Sequence, residues 1–178
     1  MLLAVYLELD PHGAAGLEPI IEHVERISSG ALTPGTWKVA PHVSLAVYEA
    51  FDPEPLARML EQFTEGRRAL AVKLSSIGLF PGPLSVLFAA PVVSADLLSI
   101  HQDFHEAAAF AEAACWPYYL PGNWVPHVML GERLNPGEAA AAVTSAIDLF
   151  RPVVASLHGI SLVRFPQVEV LWQRQLPA

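Results

Sequence analysis

The chain has 178 residues, of which 53% are hydrophobic, so it can bury the core of one full domain. Its 10 Lys and Arg against 18 Asp and Glu give a net charge of −8, and the basic residues are scattered along the sequence. This charge excludes long duplex nucleic acid as a partner on electrostatic grounds, and the single cysteine, Cys115, excludes an intramolecular disulfide.

The start of the chain gives no sign of export. Residues 1–7 are apolar, but no basic residue precedes them and they run into Glu8 and Asp10, unlike a signal peptide. No apolar run is long enough to cross a bilayer. We therefore expect a cytoplasmic protein without a membrane partner; the oligomeric state does not follow from the sequence.

The hydrophobic pattern of the first half changes between strand and helix periods. An apolar run that ends at Asp10-Pro11 indicates a buried strand, and the apolar residues from Leu17 to Ile27 fall at helical spacing. Asp52-Pro53 is a helix cap followed by proline at the first helical position. The predicted order is a strand over 2–9, a helix ending near Gly30, a strand over 42–48, a helix from Asp52-Pro53 and a strand over 69–80.

The second half repeats this βαβαβ order and adds one strand. Its predicted elements are a strand over 84–91, a helix over 94–114, a strand over 127–131, a helix capped by Asn135-Pro136, a strand over 153–165 and a half-exposed strand over 168–176. We predict one α+β domain of two pseudo-symmetric lobes, about 1–83 and 84–178, with two mainly antiparallel sheets facing a central cleft and helices outside.

Two short strings support an internal duplication. Pro41-His42-Val43-Ser44-Leu45 and Pro126-His127-Val128-Met129-Leu130 agree at four of five positions, with an offset of 85 residues from 42 to 127. The same offset carries Phe80-Pro81 onto Phe165-Pro166. The match therefore belongs to a duplicated half-domain rather than to a chance string.

The alternation of side chains in a strand gives each string a polar face. His42 and Ser44 point away from the core on one strand, as do His127 and Met129 on the other. If the lobes are related by a pseudo-twofold axis, the two imidazoles flank one small ligand. One can then act as base and the other as acid, a division that suits phosphodiester chemistry, and Ser44 can stabilise charge on the phosphate.

These motifs resemble the two-histidine phosphoesterases, the superfamily of 2'-5' RNA ligases and cyclic nucleotide phosphodiesterases, which carry a His-x-Thr/Ser-x motif in each of two lobes. His42-Val43-Ser44-Leu45 fits the first motif, and the resemblance extends through 77–81, 124–127 and the final pair of strands. It implies that His42 and His127 are the acid/base pair and that Ser44 donates to a phosphate oxygen. It also implies a site without metal or cofactor that acts on 2',3'-cyclic phosphate or 2'-5' linkages of a small nucleotide or RNA terminus.

Met129 departs from the family pattern, which has Thr or Ser at that position. A thioether cannot donate a hydrogen bond, so one contact to phosphate is missing. The sequence therefore leaves three alternatives open: an enzyme of this family with altered activity, a degenerate member that binds a nucleotide or phosphorylated metabolite without turnover, and a purely structural domain.

Further candidates surround these motifs. Lys38 and Arg164 lie near a motif strand and a Phe-Pro corner, where they can steer a phosphate, and solvated surface charge is the alternative for both. Tyr118 and Trp124 lie in an aromatic, proline-rich segment that can stack a base, and loop packing is the alternative there. The matched corner also places Phe80 among the expected substrate-binding residues.

Other chemistries have less support in the sequence. His101 and His105 are four residues apart on a helix, but they lie beside its apolar stripe and no third ligand is visible, so we predict no metal site. Ser44 lacks the strained turn and the oriented third group of a serine nucleophile. No phosphate-binding glycine loop or dinucleotide fingerprint occurs, so ligation would proceed by reversal of cyclic phosphate opening.

Overall fold

The computed structural model describes residues 1–29 and 39–178, so the predicted phosphate contact Lys38 lies outside the described residues. The elements follow the predicted order closely. They are β1 (Leu2–Leu9), α1 (Pro11–Ile27), β2 (His42–Glu49), α2 (Pro53–Phe63), β3 (Leu70–Phe80), β4 (Ser85–Pro91), α3 (Ala95–Ala107), β5 (Val128–Leu134), α4 (Pro136–Leu149), β6 (Val153–Phe165) and β7 (Glu169–Gln175).

The strands form one antiparallel sheet in the order β1-β2-β5-β4-β3-β6-β7. β6 also pairs with β1, so the pairings of the first six strands close into a ring. The predicted α+β class and antiparallel pairing are confirmed. Where two sheets were expected, a single residue pair, Val43 with Val128, joins β2 to β5 and makes the sheet continuous. The division into lobes near residue 83 stays a prediction, and the β1–β6 and β3–β4 pairings both cross that point.

Side-chain caps set the helix starts. The Asp10 carboxylate accepts from the backbone N–H of Gly13 at 2.6 Å, so α1 begins at Pro11, about one and a half turns before its apolar stripe. Asn135 forms a full capping box with Glu138 at the start of α4. The caps at Asp52 and Asn135 confirm the predicted helix starts, whereas the cap at Asp10 was not predicted.

The predicted helix over 94–114 is shorter than expected. α3 ends at Ala107, and the chain continues as a 3₁₀ helix over Ala109–Ala114. The turn brings Cys115 into a bridge with Tyr48, and the N–H of Trp116 donates to the carbonyl of Val47 at 2.8 Å. The chain therefore follows the free edge of β2, where β5 no longer pairs with it.

The two faces of the sheet differ in what covers them. Helices α1, α2, α3 and α4 contribute to one buried cluster with the alternate residues Leu3, Val5 and Leu7 of β1. Ala4 and Tyr6 lie on the other face in a smaller cluster with Val163. Among the residues that the structure describes, no helix combines the length and apolar composition of a membrane span.

Candidate active site

β2, which begins at His42, and β5, which follows His127, meet at the residue pair that makes the sheet continuous. Val43 and Val128 are register partners whose side chains are fully buried. Continuing this antiparallel register by one residue in each direction sets His42 across from Met129 and Ser44 across from His127. All four side chains share the face opposite the valines, and an approximate twofold axis exchanges the histidines. The two imidazoles lie on the diagonal, where Cα atoms are about 7–8 Å apart.

Each imidazole is held by the same hydrogen bond. His42 Nδ1 is 2.8 Å from the carbonyl of Ala40, and His127 Nδ1 is 2.7 Å from the carbonyl of Val125. Because a carbonyl only accepts, Nδ1 must carry the proton in both rings. The other ring nitrogen, Nε2, then presents a lone pair in the neutral form and a proton in the charged form.

The rings have different neighbours. His42 stacks on Tyr6 of β1, with 4.1 Å between ring centroids. His127 meets the ring of Phe80 edge to face at 4.9 Å and lies 5.5 Å from that of Phe88. The two phenylalanines stack on each other at 4.4 Å. Phe80 is therefore brought to the histidines, as one wall beside His127.

Burial favours the neutral form of both imidazoles. Burial lowers the pKa of His42 to about 4; His127 lowers it further, while the Ala40 carbonyl and Glu8 oppose the change. Burial also lowers the pKa of His127, against the effect of the Val125 carbonyl. A negative charge between the rings would favour protonation of one of them. The arrangement thus suits one neutral and one protonated imidazole around an anion.

The other diagonal carries Ser44 and Met129. The Ser44 side chain is hydrogen-bonded to Tyr119. Burial raises the pKa of Tyr119, and the bond to Ser44 opposes this change. Met129 is 41% exposed and is the register partner of Phe88 on β4. A hydroxyl therefore stands at one corner of the site and a thioether at the matching corner.

Trp124 and the two helical histidines make contacts that support β2, and contact of Trp124 with substrate stays a prediction. The indole N–H of Trp124 donates to the carbonyl of Ser44 at 2.9 Å, and the ring stacks on His101 at 3.9 Å. His101 and His105 direct Nε2 to the carbonyls of Tyr119 and Leu45, at 2.8 and 3.2 Å. Within residues 1–29 and 39–178, no three His, Cys, Asp or Glu side chains group as a metal site would require.

Two predicted contacts are not brought to the histidines. Arg164 forms an ion pair with Glu169 at 2.7 Å. It is the register partner of Leu3, which faces the helix-side cluster, whereas the histidines lie on the other face. Tyr118 is 77% exposed, on the segment between α3 and β5 that runs along the free edge of β2. Their contacts with substrate stay predictions, as does that of Lys38.

Sequence reasoning missed Tyr6 and Glu8, which flank His42 from β1. Tyr6 is the register partner of Ser44, and Glu8 is the partner of His42. The apolar run of β1 hides the alternation, because both faces of that strand are buried. The available signal was Glu8 itself, a charged residue inside a run of otherwise uncharged residues.

Comparison with known proteins gives one family and a consistent fold. The model of the 2'-5' RNA ligase superfamily matches residues 17–169. The fold is similar to TT0787 of Thermus thermophilus, with a TM-score of 0.61, 21% identity and coverage of 99% of this chain and 98% of the other. Escherichia coli LigT complexed with 3'-AMP matches with a TM-score of 0.57, 15% identity and coverage of 98% and 97%.

A eukaryotic protein also shares the fold. Kluyveromyces marxianus Usb1 matches with a TM-score of 0.52, 14% identity and coverage of 96% of this chain and 97% of its own. Comparison of the sequence with curated proteins finds no significant match. At these identities the solved structures support the fold, and the family model supports the superfamily.

Proposed function

Because this chain belongs to the 2'-5' RNA ligase superfamily, we propose that it acts on 2',3'-cyclic phosphate or 2'-5' phosphodiester linkages of a nucleotide or RNA end. The single observation that carries this proposal is that both imidazoles make the same hydrogen bond to the backbone. Both direct Nδ1 to a carbonyl two residues earlier, which leaves both Nε2 atoms available on one face of the sheet.

The reaction needs one proton removed and one supplied. The Nε2 of one histidine accepts a proton from water or a ribose hydroxyl, while the oxygen of that water or hydroxyl bonds to phosphorus. The Nε2 of the other protonates the ribose oxygen whose bond to phosphorus breaks. Ser44 donates to a phosphate oxygen during the transfer. Run backwards, the same steps join two ends, and neither direction calls for a metal or a nucleotide cofactor.

The charge of the chain favours a small substrate. A net charge of −8 opposes the approach of long nucleic acids, whereas one phosphate can be held by a few local donors. LigT was crystallised with 3'-AMP, a mononucleotide, which is consistent with a substrate of this size. In this proposal Phe80 forms one wall of the site, and Lys38, Tyr118 and Arg164 are candidate contacts to more distant parts of the substrate.

The test is turnover of cyclic mononucleotides and 2'-5' dinucleotides in the presence of EDTA. We expect His42→Ala and His127→Ala each to lower kcat by about a hundredfold to ten-thousandfold. The double variant should be little worse than either single one, since the two rings act as a unit. His23→Ala is the matched control, because this histidine bonds Ser145 between α1 and α4. Unchanged turnover in both site variants would remove the two rings from the mechanism.

A second candidate function is favoured by Met129. With no donor at that corner, the site can hold a phosphate without stabilising its transition state, as a binding protein would. Calorimetry with a 2',3'-cyclic nucleotide, followed by product analysis after long incubation, separates the two. Saturable binding without product favours the binding protein, and product formation favours the enzyme.

A further inference from the structure

Glu8 is a buried carboxylate beside the site that the two-histidine mechanism leaves without a role. It is 8% exposed and lies on the face of β1 that carries Tyr6. As the register partner of His42, it has its Cβ about 4.5–5.5 Å from that of the histidine. A buried carboxylate is costly unless its surroundings compensate for lost water, so its place next to a catalytic imidazole requires a reason.

The surroundings of Glu8 supply hydrogen-bond donors to its carboxylate. Ser161 Oγ donates to Oε1, and Gln173 Nε2 lies 2.9 and 3.0 Å from the two carboxylate oxygens. These partners come from β6 and β7, the two strands beyond β1. The contacts are the donors that an acceptor-only carboxylate needs, and they supply no positive charge of their own.

The backbone next to Glu8 leaves room for its side chain. Gly159 is the register partner of Glu8 on β6, and a Cβ there would lie 2.9 Å from Glu8 Oε2 and 3.1 Å from Gln175 Nε2. The imidazole of His158 is turned to the Glu8 main-chain carbonyl, 3.2 Å from Nδ1, rather than to the carboxylate. The carboxylate therefore faces neutral donors on one side and His42 on the other.

The two imidazoles differ in the charges around them. The groups that face His42 are the Tyr6 ring and the Glu8 carboxylate from β1, and the imidazole of His127, the residue before β5. His127 faces the rings of Phe80 and Phe88, and within the described ranges no carboxylate acts on it as Glu8 acts on His42. The approximate twofold axis thus relates the histidines but not their electrostatic surroundings.

The charge of Glu8 acts on both of its neighbours. It opposes the effect of burial on the pKa of His42, and it adds to burial in raising the pKa of Tyr6. Both effects have the sign expected of a negative carboxylate, which favours a nearby cation and disfavours a nearby phenolate.

We propose that Glu8 is a positioning residue for His42, whose imidazolium its carboxylate stabilises whenever that ring holds the transferred proton. This rests on the proposed function, in which each ring alternates between neutral and charged forms. Because no residue in the described part of the chain plays this role for His127, the two histidines are not interchangeable, and loss of the carboxylate affects the step in which His42 becomes charged.

The test compares Glu8→Gln with the wild type in two measurements. NMR titration of the imidazole nitrogens should give a lower pKa for His42 in the variant and a smaller change for His127. The pH profile of kcat/KM should move its His42 limb to lower pH, with a fall of about tenfold at the wild-type optimum. Glu49→Gln, at the exposed far end of the same strand as His42, is the matched control and should change neither measurement.

A second variant keeps the test possible if Glu8→Gln does not fold. Glu8→Met removes the charge with a side chain of similar length, and such apolar replacements of buried charges are often tolerated. It should lower the pKa of His42 as Glu8→Gln does. An unchanged His42 titration in a folded variant would overturn the role of Glu8. Because this titration needs no turnover, an inactive wild type would count against the proposed function alone.

Discussion

Replacement of Met129 by threonine should raise the phosphoesterase activity. Met129 stands at the corner of the site that matches Ser44 across the approximate twofold axis. It is 41% exposed, so a smaller side chain leaves no closed cavity, and threonine suits a strand. The lost apolar contact with its neighbours should lower the free energy of unfolding by about 1 kcal/mol. The change therefore adds a donor to a site that otherwise keeps its structure.

The expected rise in rate follows from the contribution of one hydrogen-bond donor where negative charge develops in the transition state. Removal of such a group typically lowers kcat by about a hundredfold to a thousandfold, or about 2.7–4 kcal/mol. A donor introduced without further optimisation should recover at least about tenfold of this. Met129→Val is the matched control, because valine has the shape of threonine without its hydroxyl. The assay is kcat/KM for a 2',3'-cyclic mononucleotide with EDTA present, on variants of equal folded fraction.

The decisive comparison is between the kcat/KM values of Met129→Thr and Met129→Val. If both variants turn over substrate at the same rate, the hydroxyl at this corner does not contact the phosphate. The assignment of Met129 and Ser44 to matching roles would then be wrong, whatever the rate of the wild type.

Two further predictions concern stability. Gly78→Ala should lower the free energy of unfolding by about 1–3 kcal/mol, measured by urea denaturation, because the new Cβ overlaps the ring of Phe88; unchanged stability would contradict the packing beside His127. Burial lowers the pKa of His101 from 6.5 to about 4, so the unfolded chain binds more protons between these pH values. The free energy of unfolding therefore has its full value above about pH 6.5. It falls by up to about 3 kcal/mol as the pH drops to 4. In urea denaturation at pH 7 and pH 4, His101→Asn should lose less stability than the wild type; an equal loss would contradict this origin.

Much of the fold could be predicted because its signals are local. Asp52-Pro53 and Asn135-Pro136 mark the starts of α2 and α4, and apolar runs with strand-like patterns indicate β1 and β6. The shared face of the histidine strands followed from alternation alone. The closed sheet could not be predicted, because the pairing of β1 with β6 joins residues about 150–160 positions apart.

The site was predicted in part for the same reason. His42 and His127 carry a motif, but the position of Glu8 beside His42 depends on the β1–β2 register, which a strand buried on both faces does not reveal. Arg164 was placed by its nearness to the Phe-Pro corner in sequence. In the fold, its strand alternation puts it with Leu162 on the helix side and its charge against Glu169.

In the proposed mechanism, the Nε2 atoms of His42 and His127 act on one phosphorus atom. The most direct measurement is NMR of the imidazole nitrogens during titration with adenosine 3'-monophosphate. Both Nε2 signals should move together and give one Kd. A shift confined to one histidine, or two different Kd values, would contradict a shared phosphate.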